Sequence, residues 1–179
     1  MRLFLKYISR FLLFLFTISL LIVIGNYWLI QLTSINFPSK KNLLVLGDSA
    51  PECSINDKIF QRSVNFSAPA ESYYYSYLKL KKILETKQSI DTILLSFSPH
   101  NIFDNTWFES QSNIQHNFCR YYPFMNIYDF RFLLESHPQS VIYSLRPIAL
   151  QFLKNIFRRV LGDNVLQLGG FTSLDLDRL

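Results

Sequence analysis

An α/β domain with a parallel sheet, carried behind one apolar N-terminal helix, is the architecture this sequence predicts. Three observations predict it. Phe11 to Ile30 forms a charge-free apolar run, Leu43-Leu44-Val45-Leu46 is a second apolar run that stops in Gly47-Asp48-Ser49, and a strand, helix, strand rhythm then continues to Phe97. Apolar segments that alternate with amphipathic helical patterns are the signature of parallel sheets with helical crossovers.

The first run is about as long as a helix needs to be to cross a hydrocarbon core. Arg2, Lys6 and Arg10 precede it, and Tyr27 and Trp28 sit near its far end. By the positive-inside bias, the amino terminus belongs in the cytoplasm and the remainder outside it, on the periplasmic side of the cytoplasmic membrane. A cleaved signal peptide shares the basic-then-apolar pattern, but this run is long and no small-x-small site follows it, which favours a retained single-pass anchor. Residues 1–32 are thus read as a basic start and anchor, 33–41 as a short polar tether and 42–179 as the α/β domain, held close to the bilayer.

Composition agrees with an anchor plus a filled core. The 179 residues are 49% hydrophobic and 16% aromatic, and their 17% charged residues fall below the usual quarter of soluble domains. The net charge of +5 is modest, and its densest cluster, Lys79, Lys81 and Lys82, is read as a solvated helix face and not as a nucleic-acid patch. Cys53 and Cys119 have neither the paired spacing nor the neighbouring histidines of a metal site, so no metal or other cofactor is expected. They are read as isolated thiols, with a disulfide as the alternative outside the cytoplasm.

Along the chain, Leu43 to Leu46 is the first strand, and it would deliver Ser49 to a turn at its carboxyl end, where open α/β sheets place their sites. Glu52 to Phe60 reads as a short helix or turn, and Ser63 to Ser67 as a second strand. Pro69 is expected to open a helix whose inner stripe is Tyr73, Tyr77, Leu80 and Leu84, with Lys79, Lys82 and Glu85 outward. Asp91 to Phe97 is a third strand, near-continuously apolar as expected of a sheet covered on both faces. Ser98 to Phe124 reads as a long excursion with local helix, carrying Trp107, Phe108, Phe118, Tyr121, Tyr122 and Phe124. Asn126 to Ser136 and Pro138 to Val160 read as helices, the second bent or broken at Pro147, and Leu168-Gly169-Gly170-Phe171 as a turn.

This order of motifs resembles the SGNH (GDSL-type) hydrolases, in particular a membrane-anchored bacterial envelope branch related to polysaccharide O-acetyl esterases and transferases. Gly47-Asp48-Ser49 is similar to the family's first block, which carries the nucleophilic serine. Asn65-Phe66-Ser67-Ala68-Pro69-Ala70-Glu71-Ser72 stands where the second block has an Asn-x-Gly-x-x-Gly turn, and Ser98-Pro99-His100-Asn101 where the third has Gly-x-Asn. The resemblance covers about residues 42 to 102. It implies a partial three-layer α/β/α, flavodoxin-like domain and acyl-ester hydrolysis or O-acetyl transfer on a cell-envelope glycan. Ser49 would be the nucleophile within the Asp48-Ser49 turn, and the N–H groups of Ser49 and Ala70 with the Asn101 amide would hold the oxyanion beside Asn65.

The departures are specific. Ser67 and Ala70 replace both second-block glycines, and the third-block glycine is absent as well. No histidine has the Asp-x-x-His spacing of the family's last block, because the residues three before His100, His116 and His137 are Phe97, Asn113 and Leu134. A serine hydroxyl without a base is a weak nucleophile. His100 is the candidate base by position alone, and little or no turnover is expected. Either the base lies in sequence beyond this chain, the reading that the Gly169-Gly170 turn favours, or the chain is a silent relative that scaffolds a surface-polysaccharide complex. A third reading has residues 98 to 135 bind carbohydrate through their aromatic rings.

Overall fold

The computed structural model describes residues 2–33, 35, 37–38, 40–86, 90–97, 111–163, 165 and 168–173. It is a mixed α/β chain. Helix α1 (Arg2–Gln31) comes first, and strands β1 (Leu43–Leu46), β2 (Ser63–Asn65) and β3 (Thr92–Leu95) are separated by α2 (Ser49–Ser54) and α3 (Tyr73–Glu85). Helices α4 (Gln111–Tyr121), α5 (Ile127–Ser136), α6 (Pro138–Tyr143) and α7 (Leu145–Leu161) follow, with a 3₁₀ turn over Tyr122–Phe124 after α4.

The three strands form a parallel sheet in the order β2-β1-β3. Leu44 pairs with Val64 on one side and Ile93 on the other, so β1 is central and the crossover through α3 carries the chain past it. Leu44, Leu46 and Val64 meet Tyr75, Leu78 and Ile83 of α3, together with Tyr121, Phe124, Val165 and Leu168, in the main apolar cluster. Ile35 and Phe37 join the same cluster, which docks the segment after α1 onto the domain.

Over its 30 residues α1 is about 45 Å long, more than a hydrocarbon core requires. Leu3–Gln31 is the one helix among the described residues long and apolar enough to cross a membrane. Its last turns are covered by the domain: Asn26 and Ile30 are buried, Gln31 Nε2 donates to the Pro123 carbonyl, and Gln31 Oε1 accepts from Lys82 Nζ at 2.8 Å.

Five sequence expectations change. The chain does not enter α3 at Pro69, which lies in a turn; the helix starts at Tyr73 after Ser72. Its inner stripe is Tyr75, Leu78, Lys79 and Ile83, whereas Tyr77 and Leu84 are 55% and 50% exposed. Lys79, expected on a solvated face, is fully buried because the Glu71 carboxylate lies beneath it. Strand β3, expected to be covered on both faces, is exposed at every position.

The helix break falls at Ser144 and not at Pro147, which sits in the first turn of α7, where its missing N–H has no helical carbonyl to meet. Helix α5 begins as expected. Asn126 and Asp129 form a reciprocal cap, with Asn126 Oδ1 accepting from the Asp129 N–H at 2.8 Å and Asp129 Oδ2 from the Asn126 N–H at 2.9 Å.

Candidate functional site

The carboxyl end of β1 runs straight into Gly47-Asp48-Ser49. Gly47 has φ +146, and a Cβ there would meet Ser96 Oγ at 2.2 Å, so the residue is glycine both for its backbone and for the close approach of the chain leaving β3. Asp48 is buried and caps α2, its Oδ1 accepting from the Ala50 N–H at 3.1 Å while Ser96 Oγ stands at 3.5 Å. Ser49, the first residue of α2, is exposed. Among the described residues its Oγ has no hydrogen-bond partner.

Asn65 ends β2 beside this turn and is buried. Its amide nitrogen donates to the carbonyls of Pro51 and Ile55, both at 2.8 Å, and its oxygen accepts from the Ser67 N–H at 2.9 Å. Both amide hydrogens are therefore spent on the protein, so Asn65 positions α2 against the loop after β2 and has no donor left for an oxyanion. That loop continues to Ala70, whose φ of +55 makes it the one non-glycine residue with positive φ among those described. An alanine in that region carries steric strain, held here by Asn117 Nδ2 donating to its carbonyl at 2.9 Å.

Sequence reasoning missed what lies on either side of the turn. From the far end of the chain, Gly170 N–H donates to the Ser67 carbonyl at 3.1 Å, and Thr172 bonds Glu52 of α2 through its N–H at 3.1 Å and its hydroxyl at 2.9 Å. A Cβ on Gly169 would stand 2.1 Å from the Ser67 oxygen, which explains the glycine. The second feature is a buried polar cluster behind Ala70. Glu71 accepts from Lys79 Nζ at 2.7 Å, Ser76 Oγ at 2.7 Å and Tyr121 Oη at 2.6 Å. Lys79 Nζ also donates to the Phe66 carbonyl, so one buried ammonium ties α3 to the loop after β2. Burial lowers the Lys79 ammonium to about 8 against the opposing pull of Glu71, and burial, then the Glu71 charge, hold the Tyr121 phenol well above its ordinary value.

His100 and Asn101 lie outside the described residues, so of the sequence-derived site only Asp48, Ser49, Asn65 and Ala70 are placed, all along the carboxyl edge of the sheet. His116 lines a groove between α1, α4 and α7 with Cys119 and Arg120, and burial lowers its pKa. His137 joins α5 to α6. Neither histidine is hydrogen-bonded to Ser49. Cys53 and Cys119 are free thiols, and burial pushes the Cys119 thiol up to about 12, so it stays protonated and inert. Of the aromatic residues in the excursion after β3, Phe118, Tyr121, Tyr122 and Phe124 are core side chains, and Trp107 and Phe108 lie outside the described residues. Set against models of protein families, curated proteins and solved structures, the chain matches none.

Proposed function

We propose that this chain is a membrane-anchored, SGNH-like protein whose serine site serves acyl-ester chemistry, hydrolysis or O-acetyl transfer, on a cell-envelope polysaccharide, with weak or absent turnover in the chain itself. One observation carries the reading. Ser49 is exposed at the carboxyl edge of a parallel sheet while Gly47, Asp48 and Asn65, which fix its turn, are all buried. A turn that only closed a strand would not need a buried aspartate cap, a buried asparagine with every amide hydrogen spent, and a glycine packed on Ser96.

Weak turnover follows from the missing base. No histidine or carboxylate among the described residues bonds Ser49, and removing a base from such a site leaves only the residual rate of the oxyanion hole and binding. The competing function is a scaffold or carbohydrate-binding partner in surface-polysaccharide assembly. The ring-stacking version of it would fall to Tyr128, Phe130 and Phe132, which are exposed, because Phe118, Tyr121, Tyr122 and Phe124 are packed inside. Orientation follows from the basic start: domain outside, amino terminus in the cytoplasm.

The test is aryl-acetate hydrolysis by the full chain in detergent, against Ser49→Ala. Slow turnover that disappears in Ser49→Ala supports the serine site and makes His100 the next residue to replace. Turnover unchanged in Ser49→Ala refutes it. If there is none at all, binding of purified envelope polysaccharide that Ser49→Ala leaves intact assigns the scaffold reading. For topology, a reporter fused after Leu179 should be active in the periplasm and sediment with membranes; activity confined to the cytoplasm reverses the orientation.

A further inference from the structure

The final long helix is built inside out. The face of α7 turned to the protein carries Ile148 and a fully buried Asn155, while the opposite face presents Leu150, Leu153, Phe157, Val160 and Leu161, with Phe157 67% and Val160 78% exposed. A helix whose outward face is the more apolar one is not dressed for water. Its ionisable residues are Arg146, Lys154, Arg158 and Arg159, without a single carboxylate.

The position of α7 says what covers that face. The ring of Phe152 sits 3.1 Å from where a Cβ on Gly25 of α1 would be, and Asn155 Nδ2 donates to Asn26 Oδ1 at 2.8 Å. Asn26 Nδ2 donates in turn to Tyr122 Oη at 3.0 Å. Ile30 lines one groove with Pro147, Leu150 and Gln151. Later residues of α7 thus meet earlier residues of α1, so α7 runs antiparallel to the end of α1 and heads back toward its apolar middle. The α1 residues it lies against, Gly25 to Ile30, belong to the charge-free run that begins at Phe11. About 20 residues of helix fill a hydrocarbon core, and counted from Phe11 that core ends near Ile30. Side chains level with Gly25 and Asn26, Phe152 and Asn155 of α7 and Tyr122 among them, are then just below the membrane surface, and Ile30 marks that surface. The hydrogen-bonded Asn26–Asn155 pair has the form polar groups take between helices in such surroundings.

We infer that α7 is a second membrane element: an amphipathic helix seated in the leaflet on the domain's side, its outward apolar face in the acyl chains and Arg146 and Lys154, nearest the surface, reaching the phosphates of anionic lipids. The domain is therefore held to the bilayer at two places, which fixes its orientation over the surface. The inference rests on α1 spanning the membrane and is independent of the chemistry at Ser49.

Spin labels on the full chain, reconstituted in vesicles of phosphatidylethanolamine and phosphatidylglycerol, test it. Labels are placed by Leu153→Cys, Phe157→Cys and Val160→Cys in a Cys53→Ser background, with Phe14→Cys on α1 and Glu135→Cys on α5 as lipid and water references. All five are exposed positions, so the labels leave packing intact. The expected result is greater collision with oxygen than with a water-soluble nickel chelate at the three α7 sites, as at Phe14, with the reverse at Glu135 and the oxygen preference rising from Leu153 to Val160. If the α7 labels follow Glu135 while Phe14 follows lipid, α7 lies in water and the inference is wrong although the span stands. If Phe14 also follows Glu135, the span itself fails and the inference with it. Dipolar broadening between α7 labels, with both reagents shut out, would give this face to a second copy of the chain and overturn the lipid assignment.

Discussion

Strand β1 (Leu-Leu-Val-Leu) lies between two neighbours with Leu44, Val45 and Leu46 at most 1% exposed, whereas β3 (Thr-Ile-Leu-Leu), paired to it in continuous register, has Ile93, Leu94 and Leu95 between 41% and 52% exposed. Side-chain chemistry is nearly the same in both, so it does not set the difference. Place in the sheet does: β1 is flanked on both sides and roofed by α3, while β3 is an edge strand among the described residues and pairs there only with β1. The polar locks fall on the same side as the burial. Asn65 and the Glu71–Lys79 pair all bind β2, α2 and α3, and on the β3 side Ser96 and the Tyr73 hydroxyl, which donates to the Ser96 carbonyl at 2.9 Å, make the ties.

The contrast is broken most severely at Lys79. Removing one partner of a fully buried ion pair strands the other, so Lys79→Met should cost about 3–5 kcal/mol, and Glu71→Leu with Lys79→Met should restore only part of it, because the Ser76 and Tyr121 hydroxyls and the Phe66 carbonyl lose these partners. Denaturant unfolding in detergent decides this; equal losses in the single and double variants would show that the pair contributes packing alone. The same pair predicts a pH trend. With the folded ammonium at about 8 and an ordinary value of 10.5, the unfolded chain holds a proton between those values that the folded chain has given up. Stability from this group is therefore lowest below pH 8 and rises as pH climbs through the window. Wild type should gain on the double variant from pH 8 to 10.5, and a gap that stays level would remove the assignment.

Next in size is Leu46→Ala. It opens a cavity between β1 and α3 and should cost about 2–5 kcal/mol. Asn65→Ala leaves the Ile55 carbonyl and the Ser67 N–H without a partner, while the Pro51 carbonyl keeps the Ile55 N–H at 3.0 Å, for about 1–3 kcal/mol. Were Asn65→Ala neutral in unfolding yet harmful to any activity at Ser49, the side chain would be a substrate ligand and its internal bonds incidental.

The order of strands and helices could be read from the sequence because it rests on runs of apolar residues, which are local. The face of α3 could not. Tyr73, Tyr77, Leu80 and Leu84 make one helical stripe and Tyr75, Leu78, Lys79 and Ile83 another, and the lysine disqualifies the second until Glu71 is known to lie under it. The turn at Ser49 was legible; the left-handed backbone at Ala70 was not, since alanine gives no local sign of it. The strap from Gly169 to Thr172 was not, because its contacts with Ser67 and Glu52 join it to the loop after β2 and to α2, far away in sequence, and leave no periodicity behind. The outward apolar face of α7 was on view as composition, yet only its packing against Gly25 and Asn26 shows that it points away from the core.

The smallest expected effect is on β3 and is the sharpest test of the contrast. Ile93 and Leu94 point to opposite faces of the sheet, since side chains alternate along a strand. If both faces are open, Ile93→Thr and Leu94→Thr each remove only apolar surface that is already wet, and each should shift stability by no more than about 0.5 kcal/mol, the range of ordinary surface substitutions. Threonine has the β-branched shape a strand favours, so backbone propensity opposes neither substitution. A loss of about 2 kcal/mol or more at one position but not the other would mean that a layer covers that face. Equal losses at both would make β3 an interior strand like β1, and the difference between the two ends of the sheet would disappear.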